Sequence, residues 1–153
     1  MLGAVAGSRR DDARKGAEMI EMTLDMAERA VRAAREKARA LGTPMTVTVV
    51  DEAGRLVLSA RGDGTGFFTP ETSRAKAMAA AAFRMSTADL ADRVQKGGPF
   101  WTHVGSAIPG QLLPSHGAVP IVVGGRVIGA IGCGGGTGEQ DQECAVAGAA
   151  ALA

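Results

Sequence analysis

Residues 118–141 read AVPIVVGGRVIGAIGCGGGTGEQD, and this stretch decides the fold. Two apolar runs flank Gly124-Gly125-Arg126, and glycine readily supplies the positive φ angles that tight hairpin turns need. The second run enters a glycine-rich loop, which an acidic, polar segment and a small-residue stretch follow. The order predicts a β-hairpin, a loop and a helix N-terminus, whose backbone N–H groups can receive an anion or a closely packed ligand.

Periodicity and end signals predict the remaining elements along the chain. In order, they are a helix over 12–41 (or two helices, the second capped by Thr23), strands over 45–50 and 55–61, a helix from a Thr69 cap to 83 or 85, a short helix from a Ser86 cap to about Val94, irregular chain over 100–117, the hairpin, and a helix over 141–153.

The strands come as two adjacent hairpin pairs and do not alternate with helices. This order favours an α+β class, in which an antiparallel sheet carries packed helices, over a doubly wound parallel sheet. No repeat or linker divides the chain. We therefore expect residues 1–10 to form a flexible tail and residues 11–153 to form a single domain.

Composition narrows the function classes. The chain has 153 residues, a formal net charge of +1, and only four Phe and one Trp as aromatic residues. This balance predicts no nucleic-acid or anionic-membrane partner. A core rich in alanine and glycine buries little area per residue, so we expect a homo-oligomer. The two cysteines lack metal-site spacing, and the N-terminus lacks the order of a signal peptide, so we expect a cytoplasmic protein.

A known family shows the same ordered set of short motifs. The motifs are Asp51-x-x-Gly54 after a valine-rich strand, Arg61 before an Asp-Gly loop, Lys76-Ala77 in a small-residue helix, Pro120-Ile121, Gly125, Ile128-Gly129-Ala130-Ile131-Gly132, and Gly135-Gly136-Thr137-Gly138-x-Gln140-Asp141. In this order the chain resembles the GlcG/HbpS/PduO C-terminal-like family over residues 23–152.

The resemblance implies a profilin-like or PAS-like fold with an antiparallel sheet of about five strands and helices on its faces. It also implies assembly from dimers up to octamers and a small-molecule-binding role, with haem as the ligand of some members. The family's haem-ligating histidine lies in the N-terminal helical region, whereas residues 1–102 of this chain contain no histidine. The resemblance therefore supports the fold more strongly than it supports haem binding.

The two histidines are the first candidate site residues. An imidazole titrates near neutrality and binds iron, so His103 or His116 could be a ligand-binding group or a general base. A loop histidine bonded to backbone is the plainer alternative. His116 is preferred because it precedes Gly117 and the Pro120 strand, at the edge of the predicted pocket. If haem binds, His116 is the predicted metal ligand.

Charged groups and the glycine loop complete the predicted site. Lys76 lies among small apolar residues and either extends to solvent or reaches a carboxylate ligand. Arg61 and Arg74 could join it in an anion-binding cluster, or form only surface ion pairs with Asp63 and Glu71. Asp141 complements the helix dipole, or orients a His or Lys across the pocket. Gly135 and Gly136 are predicted ligand contacts in the loop.

The leading hypothesis is a small-molecule-binding protein of the GlcG/HbpS type. Its ligand would be haem, a related tetrapyrrole or an organic anion, and no cofactor is otherwise assigned. The alternative is a cofactor-independent isomerase, tautomerase or hydrolytic lyase that acts on an unsaturated carboxylic acid. In that case Arg61 or Lys76 would hold the carboxylate, and His116, Lys76 or Asp141 would carry the catalysis. A structural partner of a neighbouring enzyme is a third hypothesis.

Overall fold

The protein is described by a computed structural model that covers residues 19–108 and 112–153. Its elements in chain order are α1 (Leu24–Leu41), β1 (Thr46–Asp51), β2 (Leu56–Ala60), α2 (Thr69–Phe83), α3 (Thr87–Lys96), α4 (Pro99–Ala107), β3 (Ala118–Val123), β4 (Arg126–Gly134) and α5 (Gly138–Ala150). The strands form one antiparallel sheet in the order β2-β1-β4-β3. The α+β class is confirmed, but the sheet in the described residues has four strands rather than about five.

Helix starts both confirm and correct the prediction. The predicted Thr23 cap is confirmed, since α1 begins after Thr23, whose Oγ1 accepts a hydrogen bond from Met26 N at 3.2 Å. Helix α2 has Phe68 as its N-cap, because the Thr69 side chain turns into the core instead. Helix α5 begins at Gly138 rather than at 141, with a capping box formed by Thr137. The predicted tail and helix over 1–18 lie outside the described residues.

The segment predicted to be irregular contains helix α4. Gly97 and Gly98 both have positive φ and end α3, as the sequence indicated. Pro99 then occupies the first turn of α4, a position where its missing N–H costs nothing. His103 consequently lies on a helix, and the prediction of a loop there was wrong. His116 does lie in a loop, immediately before β3.

Helices cover both faces of the sheet. Helix α2 lies on one face, where a small cluster contains Val50, Ala77, Ala80, Ala118 and Ala130. Helices α1 and α5 lie on the other face over a larger core that includes Ala27, Ala30, Ala34, Val47, Val49, Ile131, Cys133, Cys144 and Ala145. Both cores are built largely from small side chains, so the layers approach each other closely. No helix in the described ranges is long and apolar enough to cross a membrane.

Two glycines allow this close approach. A Cβ at Gly132 of β4 would overlap Ser73 O and would lie 2.9 Å from Ala77 N, both on α2. A Cβ at Gly148 of α5 would overlap the Ile131 side chain and would lie 2.9 Å from Ala30 O of α1. The backbones of β4 and α2 are therefore in close contact at Gly132, and the backbones of α5 and α1 are in close contact at Gly148.

Buried hydroxyl groups link β1 to α2. Thr46 Oγ1 hydrogen-bonds to Thr65 Oγ1 at 3.0 Å and to Thr69 Oγ1 at 2.8 Å. Thr48 Oγ1 bonds to Ser73 Oγ at 2.7 Å. No buried side-chain polar atom of the described residues lacks a partner, which is the condition for a polar layer to be tolerated inside a core.

Replacement of Gly132 by Ala tests the close contact of β4 with α2. We expect Gly132→Ala to lower the free energy of unfolding by about 2 kcal/mol, because its Cβ meets backbone atoms that cannot rotate away. Gly105→Ala on α4 is the control, since a Cβ there meets nothing within 4 Å. Urea denaturation measures both, and a Gly132→Ala protein as stable as the parent would contradict the packing.

Candidate functional site

A buried ion pair joins the two helical layers. Lys76 Nζ on α2 donates hydrogen bonds to Asp141 Oδ2 on α5 and to Cys133 O on β4, both at 3.0 Å. Asp141 Oδ1 accepts a third bond from Gly136 N at 3.0 Å. The side chains of Lys76 and Asp141 are only 9% and 6% exposed. The pair thus connects α2 on one face of the sheet to α5 on the other. The contact passes the end of β4, so no strand separates the two side chains.

Gly117 makes room for this pair. Its φ is +126°, and a Cβ there would lie 2.9 Å from Asp141 Cβ and 3.0 Å from Lys76 Nζ. Gly117 N donates to Gln142 Oε1 at 2.8 Å, and its carbonyl accepts from Cys133 N at 2.7 Å. The loop that carries His116 is therefore fixed directly against the ion pair.

Burial is the largest cause of the raised pKa values of the acidic groups around the ion pair. Burial raises the pKa of Asp141, and the nearby Lys76 charge and the Gly136 N–H offset only part of that effect. Burial likewise raises the pKa of Cys144 to about 11 and that of Cys133 well above its ordinary value. Neither thiol is therefore poised as a thiolate nucleophile, which requires a lowered pKa.

His116 lines a cleft of about 430 Å³ between α1 and α5. The imidazole is half-buried, and it forms no hydrogen bond with any residue in the described ranges. Gly138 packs against it, since a Cβ at that glycine would lie 3.2 Å from His116 Cβ. The other lining residues are Lys37 of α1 and, on α5, Glu139, Gln142, Glu143, Val146 and Ala147. Lys37 Nζ lies 3.5 Å from Glu143 Oε2.

The structure brings some predicted site residues together and separates others. Lys76, Asp141 and Gly136 are in direct hydrogen-bonded contact, and His116 immediately precedes Gly117, which packs against the Lys76–Asp141 pair. Arg61 is exposed beyond the end of β2, and His103 is exposed on α4, so neither lines the His116 cleft.

The glycine loop packs against its own chain. A Cβ at Gly135 would lie 2.6 Å from Pro44 O and 2.9 Å from Thr65 Cγ2, and one at Gly136 would lie 3.1 Å from Thr43 Oγ1. The loop is thus packed closely against residues 43–44 and Thr65, and a ligand contact at Gly135 or Gly136 stays a prediction. The described residues also contain no cluster of three or more His, Cys, Asp or Glu side chains that could hold a metal ion.

Sequence reasoning missed three residues of this region. Gly117 was named only as the residue after His116, although a glycine directly before a strand can signal a close backbone approach. Gln142 and Lys37 gave no signal, because a polar residue on a helix is usually solvated. Their positions follow from the packing of α1 beside α5, which the sequence does not display.

Fold and site together define a small α+β domain with one antiparallel sheet, helices on both faces, a buried Lys–Asp pair, and a histidine-lined cleft. The chain belongs to the HbpS-like family, whose model, described as "Haem degrading protein HbpS-like", matches residues 22–150. It is 32% identical over 130 residues to an uncharacterized 15.0 kDa protein of Citrobacter freundii, covering 84% of this chain and 89% of that one. Protein GlcG of Escherichia coli K12 is 33% identical over 114 residues, covering 74% and 81%.

Solved structures support the same assignment. The Klebsiella pneumoniae protein ORFY has a TM-score of 0.81 at 26% identity and covers 90% of this chain and 94% of its own. A double mutant of Streptomyces reticuli HbpS has a TM-score of 0.79 at 30% identity, covering 100% and 97%. The PduOC:heme complex also has a TM-score of 0.79, at 28% identity, covering 87% and 96%.

Replacement of Lys76 by Met leaves the Asp141 carboxyl buried without its cation. We expect Lys76→Met to lower the free energy of unfolding by about 3 kcal/mol at pH 8. Without Lys76 the folded-state pKa of Asp141 rises further above its ordinary value of 3.8. The folded protein then holds a proton that the unfolded chain releases, so the stability of the variant decreases as the pH rises above about 4.

Denaturation curves at pH 5 and pH 8 measure this effect. The control is the neutral double variant Lys76→Met/Asp141→Asn, which keeps an acceptor for Gly136 N and should lose the added pH dependence. Equal destabilisation of Lys76→Met at both pH values would contradict the prediction, because it would mean that Lys76 does not control the titration of Asp141 in the folded protein.

The cysteine thiols provide a separate test of burial. We expect Cys133 and Cys144 to react with iodoacetamide at pH 8 at least about tenfold more slowly in the folded protein than in urea, because both are buried and both have raised pKa values. Mass spectrometry of the modified peptides measures each rate. Rapid labelling of Cys133 in the folded state would contradict the described packing of β4.

Proposed function

We propose that this protein binds a small organic ligand in the His116 cleft and that haem, or a related tetrapyrrole, is that ligand. The observation that carries the proposal is the half-buried His116 imidazole, which lines the cleft without an internal hydrogen bond in the described residues. A histidine whose ring nitrogens are unengaged is free to ligate a metal or to bond a ligand.

The cleft residues fit haem in three respects. An imidazole such as that of His116 is a known type of axial ligand for haem iron. Val146 and Ala147 offer apolar contact to a planar ring, and Lys37 can pair with a carboxylate. Lys37 already lies 3.5 Å from Glu143 Oε2, so a ligand carboxylate would compete with Glu143 for the Lys37 ammonium. When bound, haem would supply a redox-active iron.

The relatives support haem in this role. One structural neighbour is a PduOC:heme complex, and the family model is described as haem degrading. An organic anion without iron is the nearest alternative, since Lys37 and His116 could hold its carboxylate by a charge-assisted bond.

A cofactor-independent isomerase, tautomerase or lyase is less well supported by the geometry. Lys76 and Asp141 are within hydrogen-bond distance of each other, as an acid–base pair requires. However, they are buried and bonded mainly to one another, and neither lines the cleft. Ligand binding by His116 does not require Lys76 or Asp141 to be accessible from the cleft, so we favour binding over catalysis.

We also propose that the protein assembles as a homo-oligomer. Phe67 is 86% exposed and packs edge-to-face on Phe68, which is 54% exposed. Burial of these two adjacent, exposed aromatic side chains would remove apolar surface from water, which suits a subunit contact. Both cores are rich in alanine, so added burial at a subunit contact would stabilise the fold.

Titration with hemin tests the proposed function. We expect a saturable Soret shift at one hemin per chain, and about a tenfold or greater loss of affinity in His116→Ala, because the iron ligand is removed. His103→Ala is the matched control and should bind as the parent does. An unchanged spectrum at stoichiometric hemin would rule haem out, and equal weakening in both variants would place the ligand elsewhere.

A further inference from the structure

A second recess lies on the other side of the sheet, along the outer face of α2. It begins as a cavity of about 460 Å³ between the β1–β2 turn at 53–55 and α2, lined there by Glu71, Arg74, Ala75 and Met78. A further cavity of about 220 Å³ shares Ala53, Gly54 and Met78 with the first and extends to Ala82, Ile108 and Leu112. Leu112 also lines a third cavity of about 180 Å³ beneath α4. We call these three neighbouring cavities, which share the lining residues Ala53, Gly54, Met78 and Leu112, the α2 trough.

The two ends of the α2 trough differ in chemistry. At the first end, Arg55 Nε pairs with Asp51 Oδ2 at 2.8 Å, which leaves the terminal guanidinium nitrogens of this mostly exposed side chain available. Arg74 is exposed and forms no ion pair within the part of the chain that the structure describes. Glu71 is the opposing charge at this end.

The far end is apolar and aromatic. Phe83 packs on Trp101 with ring centroids 5.4 Å apart, and both residues line the third cavity with Ala79 and Val94. Arg74, Met78 and Ala82 are four residues apart along α2 and therefore follow one face of the helix. The distance from Arg74 to Ala82 is about 12 Å at the α-helical rise per residue.

We propose that the α2 trough binds a monocarboxylate with an unbranched apolar chain of medium length. Arg74 and Arg55 would hold the carboxylate, Met78 and Ala82 would contact the chain, and the chain end would reach the Phe83–Trp101 aromatic pair. An arginine fork matches a carboxylate, and an apolar chain gains by leaving water against Met78 and Leu112. This site is additional to the His116 cleft, which is formed by α1 and α5 on the opposite face.

Octanoate is the probe, and Trp101 is the reporter because it is the chain's only tryptophan. We expect a saturable change in tryptophan emission, with a matching heat in calorimetry. Acetate should give neither signal at the same concentrations, because it has no chain. Octanol should bind more weakly than octanoate, because it has no carboxylate. Absence of both signals with octanoate, or equal binding of octanol, would overturn the proposal.

Three charge variants test the carboxylate end. Arg74→Gln should weaken octanoate binding about tenfold, as loss of a charge-assisted contact predicts. Glu71→Gln should tighten it about threefold, because it removes a like charge from the mouth of the α2 trough. Arg32→Gln, which removes an equally exposed arginine from α1 on the opposite face, should leave it unchanged.

Equal affinities for Arg74→Gln and Arg32→Gln would show that net charge, and not a site, governs binding. Circular dichroism confirms that each variant is folded before its affinity is compared. His116→Ala should bind octanoate as the parent does, so failure of the haem proposal and failure of this one give different results.

Discussion

The ion pair between Lys76 and Asp141 is the constraint on which the rest of the structure depends. Burying two charges costs several kcal/mol, and this cost is offset only where geometry and further hydrogen bonds are good. Here Cys133 O and Gly136 N supply those bonds, and the absence of a Cβ at Gly117 leaves space for both side chains. The alanine-rich helices do not specify their packing register by side-chain shape, since small side chains fit one another in several registers. A directional contact between α2 and α5 fixes one of these registers at the end of β4.

This constraint also explains where the candidate site lies. Gly117 must approach the pair, so the residue before it is held at the edge of the sheet, next to the start of α5. Gln142 fixes the same loop by accepting a bond from Gly117 N. His116 is therefore placed by backbone contacts and leaves its imidazole unused within the described residues. A side chain held in position but not engaged by its own protein is suited to binding another molecule.

Local signals in the sequence predicted most of the fold, and tertiary packing accounts for the rest. The turn at Gly124–Gly125 and the Ser86 cap both have short-range causes, and both were found. Helix α4 was missed because its sequence, PFWTHVGSA, has few strong helix formers and buries no residue fully. Within the site, Lys76 and Asp141 were each singled out, but their contact across 65 residues of sequence follows from the topology. The close packing of Pro44 and Thr43 against Gly135 and Gly136 likewise follows from the topology and has no local sequence signal.

The two faces of α2 carry separate chemistry. Its inner face presents Ser73, Lys76, Ala77 and Ala80 to the sheet, and all are buried. Its outer face presents Arg74, Met78 and Ala82, which are spaced four residues apart. The inner contact is made by close backbone approach and the ion pair, whereas on the outer face Arg74 and Ala82 are exposed and Met78 alone packs against the small cluster. Substitutions on that outer face should therefore act on binding there without disturbing the pair. The His116 cleft lies on the other side of the sheet, where Lys37 of α1 and residues of α5 line it.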